Sequence, residues 1–384
     1  MVSSYMRQED LIKALAILPK GLELEGAAEL ESLGALVVQT LHNTVVFKTD
    51  VAGLYRLYLQ ARLPFRLLRE LTRFPCHGPK TLYRGIQQAL EWEHWLPPNL
   101  SFRVDVSGRM PTLNHSHFTA LQVKNALVDA QRQRWGKRSS IDCKTPDLCL
   151  HLHLGKGEAL LSLDGLSYSL HRRGYRPAVG VAPLKENLAA GLIRLTGWNG
   201  QIPLIDPCCG SATLLIEAAL IANCKAPGLS HTFCLENWAD FDPLLWQQEW
   251  DFAQSRQLQQ PLPPLVGWEK NPLVAEQART NVSAAGLSGA ITIHTGDLSQ
   301  LQLPQTTGII VCNPPYGVRI GQEENLMPIY KSLGTLLREH GSGWDLWLLS
   351  GNPNLTRALK LKSNRRIPVS NGGLDCRWMH YTIR

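Results

Sequence analysis

The run Asn313-Pro314-Pro315-Tyr316-Gly317 is the most specific chemical signal in the chain. Consecutive prolines remove backbone donors and stiffen the loop. They leave the Pro314 carbonyl and the Asn313 side-chain oxygen as two acceptors that can face one target. A planar exocyclic amine offers two N–H donors, so two acceptors can bind both and turn the nitrogen lone pair toward a methyl donor. Tyr316 can stack on the face of the base that carries the amine. The catalytic set read from this loop is Asn313, Pro314, Pro315 and Tyr316.

Three more segments carry candidate binding residues. Asp206-Pro207-Cys208-Cys209-Gly210-Ser211-Ala212-Thr213 stands between an apolar run and a helical one. Small residues there let the backbone approach a ligand, and a helix N-terminus favours an anionic group. Asp206 is an acceptor for an amine. The spacing is neither G-x-G-x-x-G nor the G-K-[ST] of a P-loop, which disfavours dinucleotides and ATP. Gly267-Trp268-Glu269 puts an acid at the tip of a second strand, where it can hold both ribose hydroxyls or equally cap the next helix. Thr295-Gly296-Asp297 offers Asp297 either to an adenine amino group or to a helix cap or turn.

These segments need strand ends to position them. Ile202–Ile205, Leu265–Trp268, Ile291–His294, Gly308–Cys312 and Trp344–Leu349 read as strands, and Lys185–Leu195, Leu214–Ala222 and Pro272–Ala285 as helices. Alternating β and α elements argue for an open parallel sheet with helices on both faces. Residues 244–264, rich in Gln and closed by Pro-Leu-Pro-Pro, read as an insertion or a surface helix plus linker. The first 65 residues read as a small α/β unit. It has strands at Ala14–Leu18 and Val45–Phe47, and a helix over Leu22–Leu33 closed by Gly34. From Phe65 the chain runs through Arg66, Arg69 and Arg73 into a helix near Leu82–Trp92, ended by Leu-Pro-Pro-Asn. Phe102–Val106, Leu148–Leu154 and Ala159–Asp164 follow as strands. His117–Trp135 is a helix with Phe118, Leu121, Ala126, Leu127 and Ala130 near helical spacing. His151 and His153 share one strand face, as a metal pair or, favoured here, as a solvated face.

Charge is uneven. Of 39 Lys/Arg and 32 Asp/Glu, residues 1–180 hold 23 and 16, so the whole excess of +7 lies in the first half. Arg132, Arg134, Lys137 and Arg138 form one basic cluster, and Arg172, Arg173 and Arg176 another. One-sided positive charge fits contact with nucleic acid or, equally, a solvated basic surface. Hydrophobic residues are 44% and charged residues 18% of the chain, a globular composition that excludes disorder. No apolar run is long enough to span a membrane, and the charged start, Met-Val-Ser-Ser-Tyr-Met-Arg, argues against a signal peptide. Nine cysteines without C-x-x-C pairs read as reduced, cytoplasmic and free of a structural metal.

The four ligand-facing segments, in this order, resemble class I S-adenosylmethionine-dependent methyltransferases acting on an exocyclic amine. His171-Arg172-Arg173-Gly174-Tyr175-Arg176 with Ala182-Pro183-Leu184-Lys185-Glu186 is similar to the join between a THUMP domain and its methyltransferase. Lys124–Asp129, Pro146-Asp147-Leu148 and Ser162–Gly165 resemble a THUMP core, and Pro19–Glu23 with Glu29-Leu30 and Leu33-Gly34 a ferredoxin-like lead-in. Asn371-Gly372-Gly373-Leu374 is similar to the family's N-G-x-L/I ending. The chain as a whole resembles the RlmL-like 23S rRNA guanine-N2 methyltransferases with a THUMP domain. That resemblance implies a ferredoxin-like segment over 1–65, THUMP over 66–168, a connecting stretch over 169–197 and a Rossmann-like methyltransferase domain over 198–384. It also implies S-adenosylmethionine as cofactor, at Asp206, Pro207, Cys209, Gly210, Ser211, Ala212, Thr213, Glu269, Asp297 and Asn313. RNA is the implied partner, held by the two basic clusters.

One residue departs from the family pattern. Where C-G-S-G-T is usual, the chain has Cys209-Gly210-Ser211-Ala212-Thr213. At positive φ Ala212 costs on the order of 1 kcal/mol; at negative φ its methyl only narrows the pocket. Three alternatives compete: a tRNA guanine-N2 methyltransferase, a DNA adenine-N6 methyltransferase, and an RNA-binding factor without catalysis. A second methyltransferase activity is not expected, the sequence closing at Arg384.

Overall fold

The structure, a computed structural model, describes residues 11–177, 184–316 and 323–384. The charged start, Ala182-Pro183 and Gly317, used in the sequence reading, lie outside the described residues. The chain divides into two compact units. One holds the described residues up to Leu18, Glu29–Leu170 and His231–Asp251. The other holds Pro19–Ala28, His171–Ser230 and Phe252–Arg384.

The elements through the first unit are β1 (Ile12–Ile17), α1 (Glu23–Ser32, of which Glu23–Ala28 belong to the second unit), β2 (Leu36–Leu41), β3 (Thr44–Thr49), α2 (Val51–Gln60), β4 (Arg66–Pro75), α3 (Pro79–Gln88), α4 (Trp92–Trp95), β5 (Phe102–Gly108), α5 (Ser116–Trp135), β6 (Leu148–Gly155) and β7 (Glu158–Asp164). Seven strands form one sheet in the order β2-β3-β1-β4-β7-β6-β5, antiparallel except for β5 beside β6. Strand β4 is central, and the sequence reading gave the stretch through Arg66, Arg69 and Arg73 no element of its own. The reason is local: a register shift between Glu70 and Thr72 breaks period two. Its arginines are also held by acids, Arg66 by Asp164 and Asp105 and Arg69 by Asp240. Helix α5 runs where the spacing places it, but Phe118 and Leu121 are exposed; Val123, Ala126, Leu127 and Val128 make the buried face.

The second unit contains α6 (Glu186–Thr196), β8 (Leu204–Asp206), α7 (Thr213–Ala222), α8 (Pro243–Ser255, which returns to the first unit up to Asp251), β9 (Leu265–Glu269), α9 (Pro272–Ala284), β10 (Ile291–Thr295), β11 (Gly308–Cys312), α10 (Glu323–His340), β12 (Trp344–Ser350), α11 (Pro353–Arg357), β13 (Arg365–Asn371) and β14 (Leu374–Thr382). Its sheet runs β10-β9-β8-β11-β12-β14-β13. The first five strands are parallel; β14 and β13 add an antiparallel edge that the sequence reading lacked. Alternation along β11 shows the layering. Ile309 and Val311 join the core under α6, α7 and α9, while Ile310 and Cys312 join the core under α10 and α11.

Helix α8 is the surface helix offered for residues 244–264, with Leu244, Gln247, Gln248, Asp251 and Phe252 exposed and a narrow face that packs inward. Trp246 and Glu249 are buried. Trp246 meets the Tyr55 ring at 5.3 Å and Phe233 at 5.1 Å, and Glu249 takes both Arg56 donors at 3.0 and 2.6 Å. The glutamines dominate the composition of that stretch, but its tryptophans and Glu249 decide the packing.

Candidate active site

From β8 the chain steps outward to β9 and β10, then crosses to β11 on the other side. The order reverses between β8 and β11, which is where an open α/β sheet binds its ligand. Asp206 ends β8 and the Asn313–Tyr316 loop follows β11, so the two most informative segments flank this switch point.

Asp206 is buried and accepts the Cys208 amide at 3.1 Å. Burial pushes its carboxyl up to about 8; the Cys208 amide pulls against that rise and the Glu269 carboxylate adds to it. The loop is tied to β9. Cys209 donates its amide to the Trp268 carbonyl at 2.9 Å, and the Gly210 amide reaches Glu269 Oε2 at 3.2 Å. Gly267 allows this approach: a Cβ there would lie 2.9 Å from Cys209 Sγ and 2.7 Å from Ile293 Cδ1. Pro207 is buried beneath the loop, and Ser211 Oγ sits 3.0 Å from Thr213 Oγ1. Ala212 takes φ 62° and ψ 21°, the left-handed region, while fully buried. The positive-φ alternative is therefore the one realised, with its cost of about 1 kcal/mol.

Glu269 does not cap α9; Asn271 does, accepting the Leu273 amide. Glu269 instead receives the Asn271 amide at 2.8 Å on one oxygen and Gly210 on the other. Asp297 takes the capping alternative. It accepts the Ser299 amide at 3.1 Å and pairs with Lys270 at 3.0 Å, and these contacts, the Ser299 amide foremost, hold its carboxyl down to about 2.

Across the switch point the arrangement differs. Asn313 Oδ1 is buried with no hydrogen-bond partner among the described residues. The next residues are held from outside: Tyr330 donates its hydroxyl to the Pro315 carbonyl at 3.4 Å, and Asn371 Nδ2 donates to the Tyr316 hydroxyl at 2.7 Å. Burial pushes the Tyr316 phenol up to about 12. Tyr330 and Asn371 were not read as site residues. The Asn-Gly-Gly run after β13 is a signal that could have found Asn371, since it makes a tight β13–β14 hairpin with Gly372 and Gly373 both at positive φ; Tyr330 lies on α10, a helix absent from the sequence reading.

The basic clusters separate. Arg132, Arg134, Lys137 and Arg138 are exposed at and beyond the end of α5, with Arg134 paired to Glu93. The second cluster requires a correction. Arg172 is exposed, but Arg173 is 5% exposed and forms a buried ion pair with Glu217, which also accepts the Tyr175 hydroxyl at 2.7 Å. Arg173 is not available to an RNA surface. Arg176 is mostly buried, pairs with Glu186 at 3.6 Å and donates to Thr213 Oγ1 and the Leu184 carbonyl, each at 2.9 Å, so it supports the Asp206–Thr213 loop. In the first unit His153 is exposed and lies 2.9 Å from Ser107 Oγ, while His151 is partly covered and pushed down to about 4 by that burial and by Arg66. Among the described residues no group of three His, Cys, Asp or Glu is placed to hold a metal ion, and no helix is long and apolar enough to cross a membrane.

The profile described as RMKL-like, methyltransferase domain, matches residues 173–380. The chain belongs to this RMKL-like methyltransferase family. A THUMP profile matches 81–164 and the RlmL ferredoxin-like profile 13–68, so the RMKL-like unit follows a ferredoxin-like and a THUMP α+β region. A Synechocystis sp. protein assigned as an RNA methyltransferase is 41% identical, over 96% of each chain. A Syntrophotalea carbinolica protein named ribosomal RNA large subunit methyltransferase K/L is 38% identical over 97% of this chain and 54% of its own. The chain thus spans about half the length of the K/L relatives it matches. A solved structure of a protein assigned as a methyltransferase, in complex with SAH, superposes with a TM-score of 0.88 at 25% identity, covering 99% of both chains. The RMKL-like unit therefore has the class I methyltransferase fold.

Proposed function

We propose that this chain methylates the exocyclic N2 amine of a guanine in 23S rRNA, with S-adenosylmethionine as the methyl donor and the THUMP-containing unit supplying RNA affinity. The observation that carries the reading is the buried, unpartnered Asn313 oxygen at the switch point. A buried acceptor without a donor costs on the order of 1–3 kcal/mol, and an incoming N–H relieves it.

The residues opposite fit the cofactor. Asp206 offers a buried carboxyl to a cationic amine, Glu269 stands at the next strand end for ribose hydroxyls, and a Cβ on Gly210 would meet nothing within 4 Å. Asp297 keeps the adenine assignment as part of the proposal, with its carboxylate exposed and ionised. Pro207, Cys209, Ser211, Ala212 and Thr213 line the same loop. When bound, the sulfonium supplies an electrophilic methyl group.

The protein's work is then orientation. Asn313 Oδ1 and the Pro314 carbonyl hold the two amine hydrogens, Pro315 keeps the loop rigid, and Tyr316 stacks the base. The amine becomes acidic as it gains the methyl, and its proton leaves past these oxygens to water. A paired base cannot reach such a loop, so the target nucleotide is unpaired or flipped. Arg132, Arg134, Lys137 and Arg138, with Arg172, contact phosphates. Nine unpaired thiols fit a reducing cytoplasm.

A second reading follows from one structural relative. A protein of Listeria monocytogenes described as a predicted N6-adenine-specific DNA methylase is 27% identical over 97% of this chain, with a TM-score of 0.85. An adenine N6 amine presents the same two donors. Labelled S-adenosylmethionine offered with 23S rRNA, tRNA or duplex DNA separates the cases. Transfer to 23S rRNA alone is expected, and transfer to duplex DNA or to tRNA in preference overturns the assignment.

A further inference from the structure

Two motifs remain outside the chemistry above: the Pro19-Lys20-Gly21 segment and the Asn371-Gly372-Gly373 turn. The turn reaches Tyr316, and the Pro19-Lys20-Gly21 segment packs on the hairpin that carries the turn. Asn371 ends β13, and its Nδ2 donates to the Tyr316 hydroxyl at 2.7 Å. The Tyr316 ring is half-buried, with Cδ2 3.5 Å from where a Cβ on Gly351 would stand, so the loop after β12 covers its edge. The hairpin is itself fixed. Ser370 donates its amide to the Lys20 carbonyl at 3.0 Å, and Lys20 Nζ pairs with Asp375 at 3.0 Å across the turn. Gly21 has φ 92° and lies so close to β13 that a Cβ would stand 2.1 Å from the Pro368 carbonyl oxygen. No other residue type fits there without displacing the strand.

We infer that Asn371 is the positioning residue for Tyr316, and that the Lys20-Gly21 segment braces the hairpin that carries it. The inference rests on the reading of Asn313–Tyr316 as the base-binding loop. A phenol ring can rotate and tilt about its Cα–Cβ and Cβ–Cγ bonds. A hydrogen bond to its far end, from a donor on a two-strand turn and beside the Cys376 thiol that also meets the hydroxyl, fixes the plane on which a base would stack. The Tyr316 hydroxyl serves as anchor and takes no part in the chemistry, so its loss should act on orientation and leave cofactor binding alone.

The test uses the full chain and three single variants. Asn371→Leu keeps the size and removes the donor. Asn371→Asp lets the Tyr316 hydroxyl donate in the opposite direction. Tyr316→Phe removes the anchor. With RNA acceptor, Asn371→Leu and Tyr316→Phe are each expected to lower kcat about tenfold at unchanged cofactor Kd, and the double variant no further. Asn371→Asp is expected to recover most of the loss. Additive losses, or a loss from Asn371→Leu that tracks cofactor affinity or melting temperature, overturn the inference.

A second readout needs no activity. With 3-fluorotyrosine at position 316, the ¹⁹F resonance is expected to be a single line that moves or broadens in Asn371→Leu and returns toward its position in Asn371→Asp. An unchanged line overturns the positioning role. If the unaltered protein transfers methyl groups to no nucleic acid, the functional reading fails, and the ¹⁹F result still decides whether Asn371 holds Tyr316.

Discussion

The loops on the two sides of the switch point are built on opposite plans. Residues 206–213 are closed on themselves: the Asp206 carboxyl, the Cys209 amide and the Gly210 amide all have partners within the loop or on β9. Residues 313–316 keep one buried acceptor open while the flanking groups are held by Tyr330 and Asn371. A closed loop makes a cradle whose shape is fixed before the ligand arrives. On the proposed function, the open acceptor acts as a clamp whose hydrogen bond the substrate completes. The cradle should therefore govern affinity and the clamp should govern rate.

The clamp yields the largest expected effect. Asn313→Ala should lower kcat by a hundred- to a thousandfold, about 3–4 kcal/mol, at unchanged cofactor Kd. Titration calorimetry beside single-turnover transfer makes the comparison, and a matched loss of cofactor affinity would erase the distinction between the loops.

Next comes Asp206. Its carboxyl is raised to about 8, so in the ligand-free protein it is mostly neutral at pH 7. A cationic amine favours the ionised form, so binding near pH 7 should release a proton, and affinity should rise with pH as Asp206 ionises until the ligand amine loses its own proton. The stability sign is the reverse. A carboxyl raised in the folded state contributes its full stability below its ordinary value near 4 and loses it as pH climbs through about 8. Asp206→Asn should weaken cofactor binding by about tenfold or more at pH 8 and flatten both dependences. Calorimetry in buffers of different ionisation enthalpy reads the proton directly.

A third prediction contrasts the basic clusters. Replacing Arg132, Arg134, Lys137 and Arg138 by Ala should weaken RNA binding by about tenfold and reduce its salt dependence, leaving cofactor affinity alone. An unchanged salt slope would remove these residues from the interface.

The positions of loops 206–213 and 313–316 were legible because both lie at strand ends marked by apolar runs, small residues and prolines. The sequence carried the strands β8 to β12 for the same reason. It failed where chemistry is settled by distant partners. Arg173 looks like its neighbour Arg172 until Glu217 is seen beside it, and no local pattern announces that pairing. Strand β4 was obscured by its bulge. Asn371 entered only as part of the family-like Asn-Gly-x-Leu ending, and its partner Tyr316 lies 55 positions away.

The smallest expected effect is on the cradle. Ala212→Gly relieves a left-handed alanine and should stabilise the fold by about 1 kcal/mol in denaturant melts, with cofactor affinity equal or better. Destabilisation would mean that the buried methyl outweighs the backbone strain.

The central claim is that the clamp holds a guanine N2 amine. Total RNA from a strain lacking the gene, incubated with the purified protein and labelled S-adenosylmethionine, then fractionated and digested to nucleosides, tests it most directly. The account predicts label in 23S rRNA as N2-methylguanosine, abolished by Asn313→Ala. Label recovered as N6-methyladenosine, or no label in any RNA, would contradict it.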